Sequence, residues 1–402
     1  TSTINVQGAR ATMNNISVDG VPATDMGNGS QLKVTVSQDA VAEVKMLVSN
    51  YQAEYGRMAG SNIQIVTKSG TRDFHGLLSW FKRHEQFNAN SFFNNQQGVR
   101  KGKYRYNTYT YNVGGPVLFP GLKFNKDRDK LFFFFHQEFW PTESVSKGQV
   151  TVPAALEAQG NFSQTVDVNN RAIVVRDPYN NNTPFAGNIV PASRANQSGL
   201  ALLKFFPAPN FLDRGISRGQ YNYVFQDPNS TPKRATTLKL DYNLNPNNIV
   251  VFGYSIFKDV SEGAFGTTTA SGNWPIMRKN WTSTGKSTTL RYTRIISPSV
   301  LNEFSFGWLN QPADNFYADS DLKKMQRDTV GFRIGQFTPK ANPLNIIPNA
   351  TFGGVPGAAN IQTEGRFPLY NRYHLVNFSD NLTLTRGGHN LKLGTSIATF
   401  YR

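Results

Sequence analysis

In LNEFSFGWLN, residues 301–310, large aromatic residues alternate with small or charged ones. Successive side chains of a strand point to opposite faces, so Phe304, Phe306 and Trp308 share one side and Glu303, Ser305 and Gly307 the other. A strand of this kind has two settings. Its aromatic face packs a soluble core, or that face meets lipid while the polar face lines an aqueous lumen. One strand does not separate them.

The connections do. Arg234–Leu244 and Ile249–Lys258 are joined by NPNN, STTLRYTRI (287–295) and VLNEFSFGWLN (300–310) by ISPS, and YHLVNFSDNLTLT (373–385) and HNLKLGTSIATFY (389–401) by RGG. Each pair reads as a hairpin with a tight turn. Between hairpins the connections are long, about 84–104, 141–232, 259–286 and 311–372, and they fall at the same end of the sheet. The strands are longer than the roughly 5–6 residues common in globular proteins and suit the roughly 9–11 that a tilted strand needs to cross a bilayer. Three more strands are expected upstream, at about His75–Arg83, Arg105–Val113 and Lys130–Trp140, making nine. The last, KLFFFFHQEFW, is apolar on both faces at its start, an aggregation hazard in water but acceptable between lipid and a packed interior. Short turns on one side and long loops on the other are the layout of a transmembrane β-barrel.

Composition agrees with a mostly β chain. Only 39% of residues are hydrophobic, yet 13% are aromatic, and helical spacing is almost confined to Asp39–Val48 and Ser198–Phe206. With no cysteine, disulfide frameworks, Cys–zinc sites and cysteine nucleophiles are excluded. No apolar run is long enough for a transmembrane helix, and TSTINVQGAR has no signal-peptide core. Half of the net charge of +16 sits in residues 68–130, flanking the loop FKRHEQ…GVRKGKYRY. Basic residues among aromatics suit single-stranded nucleic acid or the anionic phosphates of a membrane surface. The barrel reading favours the membrane, and no nucleic-acid partner is expected.

Catalytic chemistry finds no foothold. The GKS in NWTSTGKST (280–288) lacks the first glycine of a phosphate loop and no buried strand precedes it. His75, His84, His136, His374 and His389 have no i,i+4 pairing or carboxylate company fit for a metal. No Ser–His–Asp order stands out. The chain is read as neither enzyme nor cofactor carrier.

Several motifs occur in order along the chain: VDGVPATD (18–25), DAVAEVKMLVSNYQAEYGRMAGSNIQIVTKSGT (39–71), DFHG (73–76), NVGGPV (112–117), DRDKLFFFFHQEF (127–139) and LKLDYNLNPNN (238–248). With VPAALEAQGNFSQ and NIVPASRANQSGLALLKFFPAPN between them, they resemble the plug-to-barrel junction of TonB-dependent outer-membrane transporters, especially the Oar-like branch. The resemblance implies a small mixed α/β plug, whose C-terminal part would be residues 1–70, and the first nine of 22 barrel strands in residues 71–402. It implies import of an extracellular ligand driven by the TonB–ExbB–ExbD complex, with adhesion or protein export as the alternative. The family's TonB box, first plug segment and later strands lie outside this sequence, which reads as a fragment. A glycan or peptide ligand suits the Asn-, Tyr- and Trp-rich surfaces, and outer-membrane lipid and lipopolysaccharide are the surrounding partners. By position in the plug loops, Arg10, Asn14, Asp25, Asn28, Tyr51 and Tyr55 are the candidate ligand contacts. Gly56, Gly60 and Gly70 are expected where plug and wall approach closely.

Overall fold

The computed structural model describes residues 5–24, 34–48, 55, 60–264, 272–275, 278–317, 319–362 and 369–401. A small four-stranded sheet comes first. It contains β1 (Asn15–Val18), β2 (Val21–Pro22), β3 (Val41–Leu47) and β4 (Asn62–Thr67), in the order β2-β1-β4-β3. β3 lies in the stretch whose spacing predicts a helix. It is instead an edge strand paired antiparallel with β4, because the ladder outweighs the weak helix preference of Val-Ala-Glu-Val-Lys. Glu43 and Lys45 guard its open side. Helical structure described before residue 70 is limited to 3-10 turns such as Ala11–Met13 and Gln38–Ala40.

The rest is one eleven-stranded antiparallel sheet. Its strands are β5 (His75–His84), β6 (Arg105–Pro116), β7 (Leu131–Trp140) and β8 (Thr142–Val150), then, after the short pair β9 (Arg176–Asp177) and β10 (Thr183–Pro184), β11 (Tyr223–Ser230), β12 (Lys233–Asn245), β13 (Asn248–Ala264), β14 (Lys279–Ser297), β15 (Val300–Tyr317), β16 (Leu369–Arg386) and β17 (His389–Tyr401). Nine of these form a wall in the order β5-β6-β7-β12-β13-β14-β15-β16-β17, open along β5 and β17. All nine expected strands are present. Four of them overrun the expected loops: β13 and β14 extend through 259–264 and 279–286, and β15 and β16 through 311–317 and 369–372. Polar, Thr- and Asn-rich ends read as loop in the sequence but keep pairing once a neighbour is in register. NWTSTGKST belongs to β14.

The segment 141–232 also differs from a plain loop. β8 and β11 pair as a ribbon in the register set by β7 and β12, from Leu131↔Tyr242 through Trp140↔Lys233 to Val150↔Tyr223. Only Pro141, lacking an N–H, interrupts the strand on one side. Side-chain parity therefore carries from wall to ribbon. Phe139, Glu143, Lys147 and Gln149 share the outer face, and His136, Glu138, Gly148 and Val150 the inner one. Helices α1 (Phe92–Gln96), α2 (Gln197–Phe205), α3 (Arg214–Ser217), α4 (Asp319–Met325) and α5 (Arg327–Val330) all lie in the long connections. α2 fulfils the helix expected at 198–206, capped by Asn196, whose Oδ1 accepts from Gly199 N at 3.0 Å.

The small sheet rests on the inner face of the wall. An added Cβ at Gly70 would stand 2.3 Å from Phe133 O and 2.9 Å from Gly115 O, so only glycine lets the chain leave the small sheet across β6 and β7. Gly70→Val should destabilise the protein by about 1–3 kcal/mol. The expected readout is a lower temperature at which the full-length protein loses its compact, fast-migrating form on SDS–PAGE. Gly335→Ala, with open space around it, should shift that temperature by no more than the equivalent of about 0.5 kcal/mol.

Candidate functional site

The polar inner face is built by alternation: Thr237, Ser255, Ser283, Ser287, Thr289 and Asn377 are all buried beneath what covers the wall. Charged side chains are buried among them too, Glu138 of β7 and Lys239 of β12. Lys239 of β12 donates from Nζ to Thr67 O at 2.9 Å and lies 3.7 Å from Asp19 Oδ1. Asp19 accepts from Thr67 N at 3.0 Å and from Thr67 Oγ1 at 2.7 Å. The lysine and aspartate side chains are 5% and 6% exposed, so the pair is desolvated and depends on these extra bonds. Asp-Gly occupies the two-residue turn between β1 and β2 with φ of 48° and 87°, a conformation this dipeptide favours, and the turn aims Asp19 at the wall. Beside the clip, Val21 and Val34 pack on Leu309, Tyr373, Leu375 and half-buried Phe257. Val21 reaches β15 because position 307 is glycine: a Cβ there would stand 2.4 Å from Val21 Cγ2. His136, fully buried on the inner face of β7, has no hydrogen-bond partner at either ring nitrogen among the described residues.

Of the candidate ligand contacts, Arg10, Asn14 and Tyr55 lie within the described residues. Arg10 is exposed, and its carbonyl accepts from Met13 N at 2.9 Å. Asn14 is buried, and its Oδ1 accepts from Ser61 N at 3.0 Å and Ser61 Oγ at 2.9 Å, with Gly60 against it. Tyr55 is half-buried. Asp25, Asn28 and Tyr51, like Gly56, lie outside the described residues.

Above the wall the long connections fold together. Val150, Val152, Phe206, Trp274, Tyr317, Met325, Phe332, Ile347, Ala359 and Ile361 form a second apolar core, drawn from segments far apart in sequence. Trp274 Nε1 donates to Asn360 O at 2.6 Å, Thr151 N to Gly357 O at 2.8 Å, and Arg333 N to Ser198 Oγ at 3.0 Å. The Arg278 guanidinium donates to Asp227 at 2.9 Å, which raises its pKa, while its backbone N–H reaches Asp321 Oδ2 at 2.9 Å. Val150, Tyr223, Phe225 and Asp227 share the inner parity, so this core lies on the lumen side of the ribbon. Loop 84–104 lies on the opposite side, where Gln97 Nε2 donates to Gln149 Oε1 at 3.0 Å and to Tyr221 Oη at 2.7 Å. Between loop and ribbon is a cleft of about 650 Å³, lined by Phe92, Phe93, Gln97, Lys147, Gln149 and Arg218 among others. Sequence reading missed this cleft; the one available signal was the basic, aromatic loop 84–104.

A scan of family models matches residues 66–401 to the outer membrane beta barrel domain. The chain belongs to that family, and its place is the bacterial outer membrane. It is 27% identical over 147 residues to the TonB-dependent transporter Oar of Myxococcus xanthus, covering 33% of this chain and 12% of that protein. Among solved structures it resembles the outer membrane transporter YddB from Escherichia coli, with a TM-score of 0.54 at 9% identity over 99% of this chain and 41% of that one. It also resembles the siderophore receptor PirA from Acinetobacter baumannii, with a TM-score of 0.50 at 12% identity over 98% and 41%. The chain thus spans well under half the length of each of these three proteins.

Two outcomes are expected. Lys239→Met or Asp19→Asn alone should each cost about 3–5 kcal/mol, since each strands a buried partner. The double variant should cost less than the sum, with a coupling of about 0.5–3 kcal/mol in denaturant unfolding of the full-length protein. Asp177 accepts from Arg194 Nη2 at 2.6 Å, and the guanidinium holds its pKa below the ordinary value. A lowered carboxylate pKa contributes stability above its unfolded value, about 3.9, and loses it as pH falls through the folded value. Pepsin nicking within 160–195 should therefore rise only below about pH 4, and Asp177→Asn should abolish that threshold.

Proposed function

We propose that this chain is the plug end and first wall strands of a TonB-dependent outer-membrane transporter, which binds an extracellular ligand and imports it using energy from the TonB–ExbB–ExbD complex. Residues 1–70 serve as the C-terminal part of the plug and 71–402 as the N-terminal part of the barrel. The observation that carries this reading is the seat of the small sheet: a polar inner wall, one desolvated ion pair and a small apolar contact. A permanent structural core would be sealed by apolar packing throughout. A unit that must shift under a pull is better served by few polar bonds that water can replace. The likeness to the Myxococcus xanthus transporter supports the same reading.

In this account Arg10, Asp25, Asn28, Tyr51 and Tyr55 meet the ligand from the plug, and Asn14 shapes their loop through Ser61. The cap formed by segments 151–222 and 318–362 is the outer gate, and a glycan or peptide remains the ligand class that its amide- and aromatic-rich surface suits. One observation favours a surface-adhesion role instead: the cap has its own core and displays Tyr179, Leu212 and Phe337 to solvent.

Cells carrying the full-length protein, with and without functional TonB, distinguish the two. Import predicts that fluorescent oligosaccharides or oligopeptides accumulate inside only when TonB works, and that Trp274→Ala lowers this accumulation by loosening the cap. Equal surface binding in both strains with no internal label would establish adhesion.

A further inference from the structure

The cleft between loop 84–104 and the ribbon lies on the outer side, off the path that the proposed import takes. Its floor is the outer face of β8 and β11, where Lys147, Gln149, Val224 and Gln226 share one parity. One side is α1, with Phe92 and Phe93, and the other is the end of α3, with Ile216 and Arg218. Hydrogen bonds hold the loop in place. Asn90 Nδ2 donates to Asn95 Oδ1 at 2.8 Å and to Val99 O at 3.0 Å. Gln97 bridges from α1 to Gln149 and Tyr221, and Gln226 Nε2 donates to Arg100 O at 2.8 Å. A preorganised cleft of about 650 Å³ has the size that takes a small organic ligand.

Among the described residues two cations and no acidic side chain line it. Cations nearby are matched: Lys103 with Glu143, Arg105 with Glu85 and Arg278 with Asp227. Lys147 and Arg218 have no such partner among the described residues. Arg218 also ends α3 in the left-handed region, with φ 51° and ψ 28°. Glycine adopts that conformation without penalty, and a longer side chain adopts it at a cost. Its backbone is fixed there, since its N–H donates to Arg214 O at 2.9 Å and Arg214 Nε donates to Asn170 Oδ1 at 2.7 Å. An arginine kept where glycine would relieve strain fits a side chain used in the cleft. Phe92 and Phe93 are 72% and 67% exposed, with their rings edge to face at 5.5 Å and 81°. Lacking a hydroxyl or ring N–H, they suit another arene better than a sugar ring. We propose that the cleft binds a small aromatic carboxylic acid, its carboxylate held by Lys147 and Arg218 and its ring against Phe92 and Phe93. Bound there, the acid joins α1 to α3 across the outer face of the ribbon.

The test is isothermal titration of the full-length protein, in nanodiscs of zwitterionic lipid, with 2-naphthoate, 2-naphthylmethanol, cyclohexanecarboxylate and digalacturonate. 2-Naphthoate should bind about tenfold or more tightly than each of the other three. Arg218→Gly and Lys147→Gln should each weaken it about tenfold, and Phe92→Ala about fivefold. Because glycine suits position 218, Arg218→Gly should keep or raise the SDS–PAGE unfolding temperature, which separates loss of binding from loss of fold. Arg100→Gln removes a cation of the same loop that does not line the cleft, and affinity should stay within about twofold. Unchanged affinity in folded Arg218→Gly or Lys147→Gln overturns the proposal, as does the absence of 2-naphthoate binding at about 1 mM. Equal binding of 2-naphthylmethanol overturns it in favour of a purely apolar groove, and equal binding of digalacturonate in favour of an acidic-sugar site. Equal binding of cyclohexanecarboxylate, or an equal loss in Arg100→Gln, overturns it in favour of a diffuse basic surface.

Discussion

A wall of strands curved around a polar inner face has to cover that face, and here a desolvated ion pair, Lys239 with Asp19, anchors the covering. Asp19 and the Thr67 carbonyl give the buried Lys239 ammonium its ion-pair partner and its hydrogen bond. The Asp-Gly turn, the parallel pairing of β1 with β4 that sets Thr67 beside Asp19, and the glycines at 70 and 307 all serve that approach. Removing side chains at two glycines is what lets backbone meet backbone and Val21 enter the wall. The interface is consequently small, polar and specific in position rather than large and adhesive. Its strength comes from burial, and admitting water would weaken it steeply.

The second organising feature is the unbroken register through Pro141 and Pro232. Because the ribbon above the membrane is the same antiparallel pair as β7 and β12 within it, any tilt of those strands is transmitted to Val150, Tyr223 and the cap core. The ribbon separates two environments. Its inner side supports the cap over the lumen, and its outer side holds loop 84–104 and the cleft beside it. The cap has its own core and long-range hydrogen bonds, and the ribbon is its continuous connection to the wall that holds the small sheet.

The wall was legible because alternation and tight turns are local: Phe304, Phe306 and Trp308 outward with Glu303, Ser305 and Gly307 inward follows from ten residues. The strand ends were not, because Asp259 to Ala264 and Gln311 to Tyr317 pair only when a partner more than a dozen residues away holds them. β3 was misread for a similar reason, its helical composition being overridden by β4. Gly70 was legible as a close approach, whereas Gly307 looked like an ordinary small inward residue until Val21 was seen against it. The Lys239–Asp19 pair joins residues far apart in sequence with no local signature, as does the cleft between Gln97, Gln149 and Tyr221. Of the candidate ligand contacts, Asn14 illustrates the difficulty: a polar residue in a loop motif turned out to be buried on Ser61, a partner 47 positions away.

The claim on which the rest depends is that the small sheet sits on the inner face through Val21 and Gly307. Residues 1–402 contain no cysteine, so Val21→Cys with Gly307→Cys, in a full-length protein with any cysteine outside this segment replaced by serine, gives an unambiguous probe. An ideal Cβ at 307 stands 3.2 Å from Val21 Cβ, close to the roughly 3.5–4.5 Å that a disulfide spans. Oxidation in intact outer membranes should cross-link this pair nearly completely, seen as a mobility shift on non-reducing gels after tryptic cleavage between the two positions. Val21→Cys with Phe306→Cys, which points outward, should not cross-link. Equal cross-linking of both pairs, or none of the first, would contradict the seat described for the small sheet and with it the proposed plug.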